Sequence, residues 1–229
     1  MSDINKTAII MVACDEGKIL RSITETSLGN IEKYTKKEEY ELILVDNNSQ
    51  NWNDSIVSRY NIYDINTYIP LHEDIGVSAS RNLGAEKSDK DSKYFCFIDN
   101  DVFVWEGWLT KLRSYLEKGW DFVMPAQGPI SREYVERAMS GIEEKLWDDA
   151  GLVLIKREAF EKMGGYDKEF KSIFHELAFR NKMGRFSLQG GYTNQVIITH
   201  ICGATTVGTG KIYTSLRDEE TVALNKIGR

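Results

Sequence analysis

Short apolar runs alternate with segments of helical spacing through the first hundred residues. Thr7–Ala13 is a β-rich run. Residues 18–34 follow with apolar positions at Ile19, Leu20, Ile23, Leu28 and Ile31, the spacing of one helix face. Glu41–Asp46 reads ELILVD, a buried strand, and Asn47-Asn48-Ser49 is a polar turn. A short helix is expected near 54–60, a strand over 66–69, a helix over 76–86 and a fourth strand over 94–98. This β–α alternation predicts a parallel sheet with helices on both faces.

The second half is less regular. Helices are expected over 108–118, 131–139, 157–163 and 176–182. Strands are expected over 122–124, where Pro125 ends the run, over 151–155, and over 195–199, ending at His200. Gly164-Gly165 reads as a turn. The glycine-rich stretches Gly190-Gly191-Tyr192 and 203–210 read as mobile loops that close over a ligand, and the polar tail over 208–229 as a loop or a packing helix. No repeat, low-complexity tract or linker interrupts the chain, so one continuous domain over 1–229 is expected.

The segment Tyr94–Val104, YFCFIDNDVFV, carries the most chemistry. A buried strand that ends in Asp99 and Asp101 places two carboxylates where burial is costly unless a cation or hydrogen bonds compensate them. In parallel α/β sheets, ligands bind beyond the strands' C-terminal ends. Oxygen donors there suit Mg2+ or Mn2+ holding a diphosphate. The alternative is a plain turn, since Asp and Asn are frequent turn residues. Asp46, Asp99, Asp101 and the Cys14-Asp15-Glu16-Gly17 loop all fall at expected strand ends, so the carboxylates converge.

Composition narrows the classes. The chain has 229 residues, 41% hydrophobic and 28% charged, with net charge −6 and pI about 5.3. That charge argues against an electrostatic grip on nucleic acid or anionic membrane. No apolar run approaches the ~20 residues of a transmembrane helix, and the acidic flanks of the first apolar run do not read as a signal peptide. Three cysteines, Cys14, Cys96 and Cys202, lie in apolar contexts without a C-x-x-C pair, so reduced thiols and a cytoplasmic location are expected, and zinc is not.

Five segments, in order over about residues 7–205, resemble the family 2 nucleotide-sugar glycosyltransferases, whose fold is called GT-A. They are Val12-Ala13-Cys14-Asp15-Glu16, which lacks the family's Pro and Tyr; Val45-Asp46-Asn47-Asn48-Ser49; Gly76 through Gly84 with Ser80-Arg81-Asn82 for Ala-Arg-Asn; Phe97-Ile98-Asp99-Asn100-Asp101; and Lys156 through Asp167 with Gly164-Gly165-Tyr166-Asp167. The resemblance implies a single α/β domain with a mostly parallel central sheet. Residues 1–104 would form the nucleotide-binding half and 105–229 the acceptor and catalytic half.

The resemblance also implies site roles. Ala13, Cys14 and Glu16 would line the donor. Asp46 would accept a hydrogen bond from its base, uracil in the family; otherwise it closes a turn with Asn48 or Ser49. Arg81 carries donors that suit a base carbonyl or phosphate. Asp99 would contact ribose or metal-bound water, and Asp101 would bind the metal. His200, late in the chain, would be a further metal ligand. The family's base segment departs here: Ile173-Phe174-His175-Glu176-Leu177 puts Phe174 in the base position. Glu176 is then the candidate base, with Asp149, beside Asp148, its rival. His175 would orient the acceptor; Trp105, Trp108 and Trp147 either stack on a sugar face or, as aromatic residues more often do, belong to the core.

The function expected is a metal-dependent transfer, with Mn2+ or Mg2+, of a sugar from a UDP-sugar to an acceptor hydroxyl with inversion. The acceptor could be a saccharide, a lipid-linked group, a protein or a modified nucleobase. The alternatives are a nucleotidyltransferase, for which the Cys14–Lys18 loop is poor, and a non-catalytic nucleotide-sugar-binding module.

Overall fold

The four apolar runs of the first half lie side by side and parallel. In the computed structural model, which describes residues 6–14, 18–49, 62–128, 151–171 and 174–201, they are β1 (Thr7–Ala13), β2 (Tyr40–Asn47), β3 (Thr67–Leu71) and β4 (Tyr94–Asp99). Ala13 stands beside Asp46, and Val12 stands between Val45 and Asp99. The shared register therefore brings the C-terminal ends of β2, β1 and β4 to one edge. The remaining strands are β5 (Val102–Phe103), β6 (Phe122–Gly128), β7 (Leu152–Lys156) and β8 (Gly190–His200). The eight form one sheet in the order β3-β2-β1-β4-β7-β6-β8-β5. β7 runs antiparallel to β4 and β6, and β5 antiparallel to β8, so the sheet is mixed beyond β4.

Both faces are buried, which is why the strands read as continuous apolar runs. One core gathers Ile9, Met11, Leu42, Cys96, Ile98 and Leu154 against α1 (Lys18–Tyr34) and α3 (Trp108–Glu117). The other gathers Ile10, Ile43, Phe95, Phe97, Val153 and Ile155 against α2 (Val77–Lys87), α4 (Arg157–Met163) and α5 (His175–Arg185). Gly84 on α2 lets that helix lie on the sheet: a Cβ there would stand 2.5 Å from Ile10 Cγ2.

Three expectations are corrected. The buried face of α1 is more polar than its apolar spacing implied. Ile19 is 78% exposed, whereas Thr24 and Ser27 are fully buried. They point inward because the adjacent turn needs donors and acceptors: Ser27 Oγ donates to the Val102 carbonyl at 2.6 Å, and Asn100 Nδ2 donates to Thr24 Oγ1 at 2.8 Å. Pro125 does not end β6, because it sits where the β6–β8 register breaks, the kind of site where a missing N–H is tolerated. Gly190-Gly191-Tyr192 is the start of β8 and not a loop; a Cβ on Gly190 would lie 2.1 Å from the Phe122 carbonyl oxygen, so the close strand approach requires glycine there. Of the two readings of Trp108 the core one holds: it is 1% exposed, and its Nε1 donates to Thr35 Oγ1 at 2.9 Å.

The β6–β8 break has a geometric effect. Between Pro125 and Ala126, β6 advances one residue while β8 advances from Thr193 to Ile197. The extra residues, Asn194, Gln195 and Val196, are odd in number, and an odd slip exchanges the faces of a strand. Before the break Tyr192 shares a face with Met124. After it, Ile198 and His200 share the face of Gln127 and the α1-side core. The expected helices near 54–60 and 131–139 lie outside the described residues, as do Trp147, the 203–210 stretch and the tail.

Candidate active site

Three side chains brought from two distant segments meet where β4 ends. His200 Nε2 is 3.0 Å from Asp101 Oδ1 and 3.7 Å from Asp99 Oδ2. Their potential ligand atoms all lie within 4.8 Å of one another, and among the described residues this is the one such cluster of His, Cys, Asp and Glu. Val102 pairs with His200 across β5 and β8, and the Ile201 N–H donates to the Asp101 carbonyl at 3.1 Å, which fixes the end of β8 against the Asp99–Asp101 turn. Gly151 makes room for the imidazole: a Cβ there would stand 2.7 Å from His200 Cε1 and 2.8 Å from Nδ1.

The donor set fits a hard divalent cation. Two carboxylates and one imidazole gathered within 4.8 Å, with His200 3.0 Å from Asp101, are close enough to converge on one octahedral cation whose bonds are ~2.0–2.1 Å. Asp101 and His200 are almost fully buried, while Asp99 keeps 28% of its side chain exposed, so the cluster opens to solvent on the Asp99 side. Burial raises the Asp99 pKa, opposed by Arg81 and His200 and reinforced by Asp101. A cation between the carboxylates would relieve that conflict.

Arg81 lies deeper than expected. It is 3% exposed, with Nη2 donating to Asp99 Oδ1 at 2.5 Å and Nη1 to the Tyr166 hydroxyl at 3.3 Å. Burial alone would lower its pKa, but Tyr166, Asp99 and Glu176 reverse this and keep it charged. The guanidinium is thus held by protein groups while it also lines the cavity beside Glu176. Tyr166 is held in turn by Asn82, whose amide bonds both the Tyr166 N–H, at 2.8 Å, and its carbonyl, at 2.9 Å. Gly165, at φ +72°, makes that approach possible; a Cβ there would lie 2.5 Å from Asn82 Oδ1. The Tyr166 ring stacks on Phe179 of α5 at 3.8 Å.

Glu176 sits in the first turn of α5, with Oε1 3.9 Å from Arg81 Nη2 and 3.9 Å from His175 Nε2. A cavity open to solvent lies beside it, lined by Arg81, Phe97, Met124, Val153, Arg180 and Tyr192. Phe174, in the base position of the expected family, caps α5 and packs against Phe170 and Ala178.

Asp46 is 3% exposed at the end of β2. Its oxygens accept from the Ser49 N–H at 2.9 Å and the Tyr68 hydroxyl at 3.0 Å, so the turn contact expected with Ser49 is present. Burial raises its pKa against the pull of these hydrogen bonds. Ala13 is buried beside it, and half-buried Cys14 follows. Cys96 is buried in the core, where burial pushes its thiol pKa up and leaves it unreactive. Glu16, Asp148, Asp149 and Cys202 lie outside the described residues. Trp105 is 47% exposed against Tyr34, with ring centroids 6.0 Å apart.

Sequence reasoning missed Gln127, Gly151 and Tyr166. Gln127 was the most visible, a lone amide in the apolar run Phe122–Gly128.

Several solved structures share this fold. GalNAc-T7 with UDP, GalNAc and Mn2+ aligns with TM-score 0.67 at 15% identity over 85% of this chain and 43% of its own. The mannosyltransferase PcManGT from Pyrobaculum calidifontis, with GDP-Man and Mn2+, gives 0.66 at 16% over 85% and 56%. S. aureus TarS, residues 1–349, gives 0.63 at 15% over 85% and 60%. The chain thus spans about half the length of these proteins, and at such identity the likeness speaks to the GT-A fold alone. No curated protein matches the chain in sequence. The family description Glycosyl transferase family 2, however, matches residues 8–187. With most of its length under that match, the Asp99-Asn100-Asp101 turn at the end of β4 and the GT-A sheet around it, this chain belongs to glycosyl transferase family 2.

Proposed function

We propose that this protein transfers a sugar from a nucleotide-sugar donor to an acceptor hydroxyl, with a divalent cation at Asp99, Asp101 and His200. The observation that carries this reading is the meeting of those three side chains at the C-terminal ends of the parallel strands. A cation held there, Mn2+ or Mg2+, would supply positive charge to a diphosphate leaving group. Neighbours of the same fold were solved with UDP and Mn2+ or with GDP-Man and Mn2+, which supports a nucleotide-sugar donor.

In this reading the first half of the chain holds the donor and the second half the acceptor. The base of the donor lies over the β1 and β2 ends, against Ala13, Cys14 and Glu16, with Asp46 accepting a hydrogen bond. A uracil base is the donor group the family resemblance favours, and its ring N–H can meet the remaining lone pairs of the Asp46 carboxylate. Arg81 holds Asp99 in place. Glu176, which lines the cavity, accepts the proton of the acceptor hydroxyl as it displaces the diphosphate with inversion. Asp149 is the rival base.

One observation favours a second reading. Phe174 occupies the family's base position and is packed into an apolar cluster, as in a module that binds the donor without transferring it. Thermal-shift screening of sugar nucleotides with Mn2+, followed by assay of donor hydrolysis, separates the two. A transferase is expected to be stabilised by one donor and to hydrolyse it slowly. Stabilisation without any hydrolysis would favour the binding module, and no stabilisation by any sugar nucleotide would sink both.

A further inference from the structure

We propose that Gln127 is a positioning residue for the metal site, its side-chain amide selecting which ring nitrogen of His200 carries the proton. The inference rests on the reading of Asp99, Asp101 and His200 as a cation site.

The two side chains meet because of the register break. Gln127 pairs with Ile198, so it is diagonal to His200 on the same face, a distance that long side chains span. The Gln127 amide nitrogen is 2.5 Å from His200 Nδ1, and on the other side of the ring Nε2 is 3.0 Å from Asp101 Oδ1. Gln127 is 4% exposed in a strand otherwise apolar up to that point. Burying an amide there is costly unless its hydrogen bonds are made.

A neutral imidazole has one N–H and one lone pair. Asp101 is an acceptor, so when the ring is neutral and no cation is present the proton belongs on Nε2, facing the carboxylate. Nδ1 then offers its lone pair to the Gln127 N–H, which fits the amide nitrogen lying 2.5 Å from it. A cation among the three ligands needs the Nε2 lone pair instead. The Nε2 proton passes to water, water returns a proton to Nδ1, and the ring stays neutral. Nδ1–H then requires an acceptor. A half-turn of the Gln127 amide presents its carbonyl oxygen in the same place, because the two ends of an amide have nearly the same shape. An amide alone among the side chains of this size serves both states. Glutamate would fix the Nδ1–H form, and methionine would support neither. Hydrogen bonds of this kind to the far nitrogen of a ligating His commonly tune metal affinity.

The test uses long-range 1H–15N correlation spectra of the whole chain, simplified by its having three histidines, together with Mn2+ titration followed by electron paramagnetic resonance. In the metal-free protein His200 is expected as the Nε2–H tautomer, switching to Nδ1–H on addition of diamagnetic Mg2+. Gln127→Glu is expected to show Nδ1–H before any metal is added. Gln127→Met is expected to weaken Mn2+ binding by ~10–100-fold. A purely structural role for Gln127 would leave the tautomer unmoved. If wild type binds Mn2+ and Gln127→Met binds it within twofold, or the His200 tautomer is the same in wild type and Gln127→Glu, the proposal for Gln127 is overturned while the cation site stands. If wild type itself binds no Mn2+ or Mg2+, the cation site and the proposal both fall.

Discussion

Arg81 Nη2 lies 2.5 Å from the Oδ1 of Asp99, and this single contact ties the helix α2 to the end of β4. The same nitrogen is 3.9 Å from Glu176 Oε1, so one buried cation stands between a proposed metal ligand and a proposed base. Removing it would leave a largely enclosed carboxylate without its partner. Arg81→Met is therefore expected to cost stability toward the lower end of ~3–5 kcal/mol, because Asp99 keeps part of its side chain in water. Urea unfolding of the variant checks this. Arg81→Lys should be milder in stability yet still impair transfer, since one ammonium does not reproduce the guanidinium's fork to Asp99 and Tyr166.

Asp101→Ala is expected to abolish Mn2+ binding while the far-UV spectrum stays that of wild type. The side chain contributes its carboxylate to His200 and, on the proposed reading, to the cation. Electron paramagnetic resonance of added Mn2+ reads the result directly. Wild-type Mn2+ affinity in the variant would remove Asp101 from the site.

Glu176→Gln keeps size and hydrogen bonding but removes proton acceptance, so turnover should drop by ~10²–10⁴-fold. Donor affinity should hold, because the cavity beside Glu176 is assigned to the acceptor. Comparison with Asp149→Asn decides between the two carboxylates: the variant that loses turnover carries the base. Full activity in both would exclude either as base.

Gly151→Ala adds a methyl group where His200 and Val102 leave no room. A stability loss of ~1–3 kcal/mol is expected from overpacking. The more telling readout is Mn2+ affinity, which should fall as the imidazole is pushed aside. Unfolding and metal titration on the same preparation distinguish a local shift from a general loss of fold.

Asp46 gives a pH dependence. Its folded-state pKa is raised, chiefly by burial, so folding favours the protonated form. Its contribution to stability is present in full below the ordinary Asp value of ~3.9 and is lost as pH rises through the raised folded value. Asp46→Asn removes that loss. The stability of the variant relative to wild type should therefore climb with pH across this window and then level off. A flat difference, measured by urea unfolding at several pH values, would contradict the burial assigned to Asp46.

Much of this was legible in the residues. Runs such as Glu41–Asp46 and Tyr94–Asp99 are apolar on both faces and end in a carboxylate, so strand, sheet class and ligand edge could be read together. What could not be read depends on contacts between distant segments. β5 is a strand of two residues that exists because β8 returns beside it. Gly190-Gly191 has the composition of a loop, and only the approach of Phe122 makes glycine a strand requirement there. Arg81 looked like a ligand-facing cation because nothing in its own helix shows Tyr166, 85 positions away. Gln127 is a lone amide in an apolar run, but its partner lies 73 positions along the chain.

The break between Pro125 and Ala126 also limits how this part of the chain can change in length. His200 faces Asp101 because the extra segment Asn194–Val196 has an odd count. Losing or gaining one residue there would turn Thr199 toward the carboxylates and send the imidazole to the opposite face. Two residues added or removed would keep His200 on the correct side but carry it ~7 Å along the strand unless the break absorbs them. Length variation at this point is thus restricted by parity, whereas most surface turns are restricted only by span.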